Sequence, residues 1–341
     1  MRKIFGWALL HAALFGFTGT SYGDYFDNNP SCAEAVGACD NGLCNECQDS
    51  CGCECLGNWF DNTVVFAGAD TYKSIGDRLT NINGGTGSLT SSFGGVAGFN
   101  TGFRIGDQDR IRGQIGGSYG AYDPKGRLAL IPQANEVEEQ EFVTAGVYKR
   151  GDMLNDCDPI SWGLVVDYFH ANQWGINANT VDLTQLRGIA GYAINECTEV
   201  GGWGTFRLWD DAAAVTVAGA PGVLTRIRAA NQANAYIRRN TAFGASFMAY
   251  IGAFDRADIQ SWQFGLNATA PVSCNMALYG NFNYAVPGAA AGPAGSGEEQ
   301  FNVQVGLAYY FGGKAVSPSV TGDRGLPLLN VANNGSFLIT D

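Results

Sequence analysis

Phe301-Asn302-Val303-Gln304-Val305-Gly306-Leu307-Ala308-Tyr309-Tyr310-Phe311 decides how this chain is read. Successive side chains of a strand point to opposite faces, so Phe301, Val303, Val305, Leu307, Tyr309 and Phe311 share one face. Asn302, Gln304, Gly306, Ala308 and Tyr310 share the other. A segment of this length, apolar on one side and small or polar on the other, has the build of a strand that crosses a bilayer in a closed barrel. The pattern recurs upstream. Ile160, Trp162, Leu164, Val166 and Tyr168 oppose Ser161, Gly163 and Asp167, and Trp262, Phe264, Leu266, Ala268 and Ala270 oppose Gln263, Gly265, Asn267 and Thr269. Phe99, Phe103 and Ile105 oppose Asn100 and Arg104; Ile111, Ile115 and Tyr119 oppose Arg112, Gln114 and Ser118. The aromatic residues Trp162, Tyr168, Tyr119, Tyr309 and Phe311 fall near strand ends, where an amphipathic ring suits a membrane interface.

Working outward, the same texture predicts strands near 60–69, 93–105, 109–122, 140–150, 159–170, 183–194, 199–210, 233–239, 243–254, 260–270, 274–285 and 299–311. The expected fold is all-β: an antiparallel up-and-down transmembrane barrel of about twelve strands, roughly ten to fourteen. The connections give an independent sign. Long gaps at 70–92, 123–139, 171–182, 211–232 and 286–298 alternate with shorter ones at 106–108, 151–158, 195–198, 240–242 and 271–273, and only 255–259 breaks the rule. Membrane barrels alternate long external loops with short periplasmic turns, and an even strand number puts both chain ends on the periplasmic side.

Composition agrees. Charged residues make up 15% of the 341 residues, against about 25% in soluble domains. No apolar run of about 20 residues follows the N-terminal region, which excludes a helical membrane protein. The net charge of −12 argues against a nucleic-acid partner. A soluble β-sandwich or a secreted eight-stranded barrel competes, but neither tolerates aromatic residues along so many uncovered outer faces.

Residues 1–23 are expected to be a signal peptide: Arg2 and Lys3, an apolar stretch from Ile4 to Phe17, and small residues at Ser21 and Gly23 before Asp24. Residues 24–58 form a cysteine-rich periplasmic segment, 59–312 the barrel, and 313–341 a linker and C-terminal tail. The leader holds Cys32, Cys39, Cys44, Cys47, Cys51, Cys53 and Cys55, while Cys157, Cys197 and Cys274 fall at predicted periplasmic turns. Export to an oxidising compartment makes all ten candidates for disulfides, with the pairing open. Metal binding is the competing reading, since Cys44 and Cys47 have the spacing of half a zinc site, but the second half is missing. Thiols left free or bridging between molecules are a third.

The residues show no catalytic constellation. His170 is the single histidine after the expected signal, and Ser161, Asp167 and His170 do not converge on one strand face. The His-x-Ser arrangement used by outer-membrane lipases of this strand number is here His170-x-Asn172, with no nucleophile. There is no Walker, dinucleotide-binding or HExxH motif, so no enzyme, cofactor or metal site is expected. Glu136, Glu138, Glu139 and Glu141 read as a solvated loop. If the apolar sets face lipid, Arg104, Arg110, Arg112, Arg187 and Arg207 point inward, with Asp167 and Glu141. Buried ionisable groups there line a water path or pair with one another. An arginine-rich lining favours anions, whereas pairing with lumen or plug acids closes the barrel.

After Phe311 a Ser/Pro/Gly-rich linker leads to Pro327-Leu328-Leu329-Asn330-Val331-Ala332-Asn333-Asn334-Gly335-Ser336-Phe337. Asn334-Gly335 reads as a tight turn, and its apolar flanks as a small hairpin docked at the periplasmic rim. The signal with its cysteine-rich leader, the closing strand ending Val305 to Phe311, and this tail together resemble an uncharacterised planctomycete family of cysteine-rich outer-membrane barrels. The resemblance implies an envelope location and porin-like architecture, and transfers no functional residue. The expected role is a passive outer-membrane channel for small polar or anionic solutes, with outer-membrane lipid as partner. The alternative is a structural envelope barrel cross-linked to neighbours, or to further copies of itself, through its cysteines.

Overall fold

The computed structural model describes residues 60–77, 91–105, 111–123, 137–151, 158–195, 197–217, 220–257, 260–288, 299–317 and 324–340. The expected signal peptide, the leader cysteines, Cys157 and Arg110 lie outside them.

Twelve strands close into an antiparallel barrel, in sequence β1 (Thr63–Lys73), β2 (Ser92–Arg104), β3 (Arg112–Tyr122), β4 (Glu138–Lys149), β5 (Ile160–Trp174), β6 (Asn179–Asn195) and β7 (Thr198–Trp209). After a hairpin of β8 (Asp211–Val217) and β9 (Ala220–Ala229) follow β10 (Gln232–Asn240), β11 (Ser246–Phe254), β12 (Gln260–Pro271), β13 (Met276–Pro287) and β14 (Gln300–Tyr310). Ring order follows chain order except that β8 and β9 are bypassed, so β7 pairs with β10. β1 and β14 seal the ring from Val64 opposite Tyr310 to Lys73 opposite Phe301.

Each strand predicted from alternation corresponds to a barrel strand, and the predicted faces hold except at Glu141. Leu164, Val166, Phe264, Leu266, Val305 and Leu307 are exposed on the outside, while Asp167, Gln263 and Asn302 are buried within. On the outer face, Lys, Arg, Asp and Glu occur only within four residues of a strand end: Lys73, Glu139, Glu141 and Asp182 at one rim, Lys149 and Arg239 at the other. The strands β11 to β14 carry no such residue on either face. What remains outside is an uncharged apolar belt, the surface a bilayer core accepts.

We call the rim where β1 begins and β14 ends the near rim. Two connections differ from expectation at the far rim. Residues 171–182 are not a loop: Ala171–Trp174 and Asn179–Asp182 continue β5 and β6, and only 175–178 turn. The extension buries Ala171, Trp174 and Val181, and Gly175 takes a φ of 68° where its chain presses on Gly76. Residues 211–232 are likewise not a plain loop. The β8–β9 hairpin turns Ala213, Val215, Ile227 and Ala229 inward. Its alanines and the Pro221-Gly222 break dilute the strand signal, because alanine and glycine pack poorly in a pleated sheet.

The largest correction concerns the tail. It is not a hairpin at the rim where the barrel strands start. After β14 the chain stays at the near rim, where Lys314 Nζ donates to Asn62 Oδ1 at 2.8 Å and Ser317 N donates to Gly244 O at 2.9 Å. From Gly325 it runs up inside the barrel and ends as β15 (Ile339–Thr340), paired with Ala229 and Arg228 of β9 above the far rim. Strand parity does put the start of β1 and the end of β14 on one side, but the chain then crosses the barrel. The main hydrophobic core therefore lies between tail, hairpin and barrel wall: Phe142, Phe169, Trp174, Val215 and Ile227 pack with Val331, Phe337 and Ile339.

Candidate functional site

The lumen is built from inward side chains that match the tail's peptide groups. Near the bottom, Tyr148 Oη donates to Gly325 O at 2.6 Å, Arg150 Nε to Leu326 O at 2.8 Å, and its Nη2 to Pro327 O. Higher up, Asn100 Nδ2 and Gln114 Nε2 donate to Leu329 O at 2.9 and 3.0 Å, and Leu329 N donates back to Gln114 Oε1 at 3.2 Å. At mid-height Arg187 Nη2 donates to Asn330 O at 2.7 Å and Ala332 N donates to Thr144 Oγ1 at 2.9 Å. Asn334 Nδ2 reaches Gln140 Oε1 at 2.8 Å, and Gln185 and Gln232 both donate to Ser336 O at 3.2 Å. The expected turn at Asn334-Gly335 is present, with Phe337 N donating to Asn333 O at 2.9 Å.

Glycines make the passage wide enough. A Cβ on Gly102 would stand 2.2 Å from Gly325 O, and one on Gly163 would stand 2.4 Å from Leu329 Cδ1. The tail buries Leu326, Leu328, Leu329, Val331, Phe337, Leu338 and Ile339. At roughly 1.5–3 kcal/mol per fully buried large apolar side chain, this amounts to more than ten kcal/mol as an upper estimate. The entropy of ordering the segment offsets much of this figure. The tail is a wall of the lumen.

The expected lumen arginines divide. Arg187 and Asp167 lie inside as a forked pair: Arg187 Nη2 donates to Asp167 Oδ1 at 3.0 Å and its Nε lies 2.9 Å from Oδ2. Thr144 Oγ1 and Gln185 Nε2 donate to the same carboxylate at 2.7 and 3.0 Å. Arg112 is buried at the near rim, whereas Arg104, on the inward register, is exposed at the end of β2. Arg207 is half-buried at the far rim, with Nη1 3.9 Å from Asp255. Glu141 is a correction. Its neighbours Gln140 and Phe142 are buried, so the alternation of β4 turns Glu141 out to the surface, where it stands across from His170. His170 also faces outward, with Nδ1 2.8 Å from Asp182, an acceptor it shares with Tyr168. Cys197 and Cys274 occupy the β6–β7 and β12–β13 turns, both at the near rim. Among the described residues no group of three His, Cys, Asp or Glu side chains converges as a metal site would require.

Sequence reasoning missed the pair Glu199–Arg238, 2.8 Å apart on β7 and β10, and the amides Gln140 and Asn283, and it set Asn100, Gln114, Asn302 and Gln304 on inward faces without giving them a role. The clue was available: inward positions carry neutral amides, each with both a donor and an acceptor, which suit a peptide chain better than an ion.

The tail leans on β2 to β6 and leaves space on the other half of the barrel. A cavity of about 210 Å³ opens beside it, walled by Trp203, Arg238, Tyr250, Asn267, Asn281 and the tail itself. A smaller cavity of about 90 Å³ lies against Phe66, Tyr279 and Asn333. At the far end the cavity meets a cross-linked amide cluster: Gln263 Nε2 donates to Gln232 and, at 2.6 Å, to Asn234, and Asn283 Nδ2 donates to Gln263 at 3.0 Å.

These features define a twelve-stranded barrel of membrane type, half filled by its own C-terminal segment. The chain belongs to the family of unknown function DUF6666, which it matches over residues 62–339. No curated protein matches it. Among solved structures it is similar to an outer-membrane channel from Pseudomonas putida F1, with 12% identity and a TM-score of 0.46 over 73% of this chain and 95% of that one. It is also similar to the outer membrane phospholipase A of Escherichia coli (9% identity, TM-score 0.38, 72% and 95% covered). A third is the NanC porin (8% identity, TM-score 0.35, 72% and 98% covered).

Proposed function

We propose that this protein is an outer-membrane, porin-like channel for small polar or anionic solutes, whose passage is the half-lumen beside a fixed C-terminal segment. The observation that carries this reading is the cavity of about 210 Å³, lined by polar and apolar groups in like measure, between the tail and the barrel wall. The outer-membrane location is supported by the uncharged apolar belt and by the signal-like N-terminus. A non-enzymatic role is supported by His170 facing outward, away from the lumen, in a pair with Asp182. Because Arg187 and Arg238 sit against Asp167 and Glu199, any anion preference is expected to be mild. Planar-bilayer recording of the purified chain tests the reading: small, steady steps are expected, and a silent protein that also fails to admit small polar solutes into liposomes overturns it.

The alternative, a structural barrel fixed to neighbouring envelope components by disulfides, is favoured by one observation. The turns carrying Cys197 and Cys274 share the near rim, where β1 begins. Disulfide-linked multimers on non-reducing gels, together with absent conductance, would decide for it.

A further inference from the structure

We propose that the half-lumen binds one small uncharged amphiphile, a compact hydrocarbon body edged with hydroxyls. The proposal deepens the channel reading, resting on it only for how the molecule arrives. The charged side chains of the lining do not serve as anchors, because each is already engaged. Arg187 and Arg238 pair with Asp167 and Glu199. Arg150 donates to the tail carbonyls of Leu326 and Pro327, and Lys314 donates to Asn62. Among the described residues no carboxylate lines the cavity. An ion entering here leaves water without a free counter-charge to meet it, which is costly. An uncharged molecule bears no such cost.

What the lining leaves unengaged is neutral and lies on one side. Ser246, Asn267 and Thr269 are half-buried on the cavity wall, and their side chains make no hydrogen bond among the described residues. They adjoin on the inner faces of β11 and β12, where Ser246 stands opposite Thr269 and Met248 opposite Asn267. Each offers both a donor and an acceptor, as a hydroxyl partner requires. The other side is carbon. Ile189 of β6 and Trp203 of β7 face each other in register, and both are half-buried on the same lining, as is Met248. The Trp203 indole N–H is itself buried, so the ring shows the cavity its carbon face. A molecule polar all round would press hydroxyls on Ile189 and Met248. A pure hydrocarbon would strip water from Asn267 and Thr269 without replacing its hydrogen bonds. An amphiphile meets both sides, and about 210 Å³, the liquid volume of about seven waters, admits a single one.

Calorimetric titration of the full chain in detergent, with the heats into empty micelles subtracted, tests the site. Vicinal cyclohexanediol is the probe, glycerol the control without a hydrocarbon body, and cyclohexanecarboxylate the charged control. Saturable diol binding is expected, at least about tenfold tighter than either control, since burying two methylenes alone is worth about that factor. Thr269→Val keeps the shape of the side chain and removes its hydroxyl. It is expected to weaken the diol about fivefold, the worth of one net hydrogen bond, with the strand circular dichroism unchanged. Should that variant not fold, the comparison of the three ligands on the native chain decides alone. Equal affinity for the diol and either control, no saturable heat, or full affinity in a folded Thr269→Val chain overturns the proposal. Binding is read without permeation, so a protein that binds but never conducts keeps the site and loses the channel, and one that conducts without binding does the reverse.

Discussion

Asp167 is the most dependent residue in the lumen, fully buried and held by Arg187, Thr144 and Gln185. Removing the cation alone leaves a buried charge with only neutral donors. Arg187→Met is expected to cost about 3–5 kcal/mol, seen as a lower urea midpoint of the strand signal. Adding Asp167→Asn removes the stranded charge and is expected to restore most of that loss; a double variant no more stable than the single one would show that the arginine matters only through Asn330. Gly163 makes a second test, because its missing side chain is where Leu329 rests. Gly163→Val is expected to push the tail off the wall and to destabilise by about 1–3 kcal/mol, the ordinary range for overpacking. At this scale the sequence was legible in part. Alternation located Arg187 and Asp167 correctly, yet it misplaced Glu141, which sits one residue out of phase in a strand whose inward glutamate is Glu138.

Among elements, the tail was the hardest to place. Gly325 to Thr340 contains no charged residue, whereas segments exposed to water are mostly polar or charged. That absence and the wealth of inward Asn and Gln were two halves of one signal, but neither points to the other without coordinates. The barrel strands were readable because each needs only its two neighbours and a lipid-facing side. Tail and β8–β9 hairpin were not, since their burial depends on surfaces that exist only once the ring has closed. Phe337 shows the dependence: its ring stands 5.4 Å from that of Phe169 and 6.2 Å from that of Phe142. Phe337→Ala is expected to lower stability by about 3–5 kcal/mol and to expose Ile339 and the β9 edge to hydrogen exchange, with the strands facing the cavity changed little. Uniform loss of protection around the whole barrel would show instead that the tail and ring fold as one unit.

For the molecule as a whole, the crossing of the tail fixes sidedness. An epitope appended after Asp341 and one inserted in the 255–259 connection are expected to be reached by antibody from the same side of the membrane, because Thr340 pairs with β9 above the far rim. An epitope replacing part of the leader ahead of Phe60 is expected on the opposite side. If the C-terminal and leader epitopes are labelled together, the crossing is wrong.

The seal between β1 and β14 encircles residues that follow β14 in the same chain. Such a molecule is a lasso: a ring of strands with a later segment of the same chain drawn through. Chains rarely thread themselves, and here residues 325–340 must be inside before the first and last strands meet, or must be fed through the finished ring afterwards. The topology thus leaves two orders of assembly, and a bulky folded cargo placed after residue 340 separates them, since it would block threading through a finished ring but not closure of the ring around the tail.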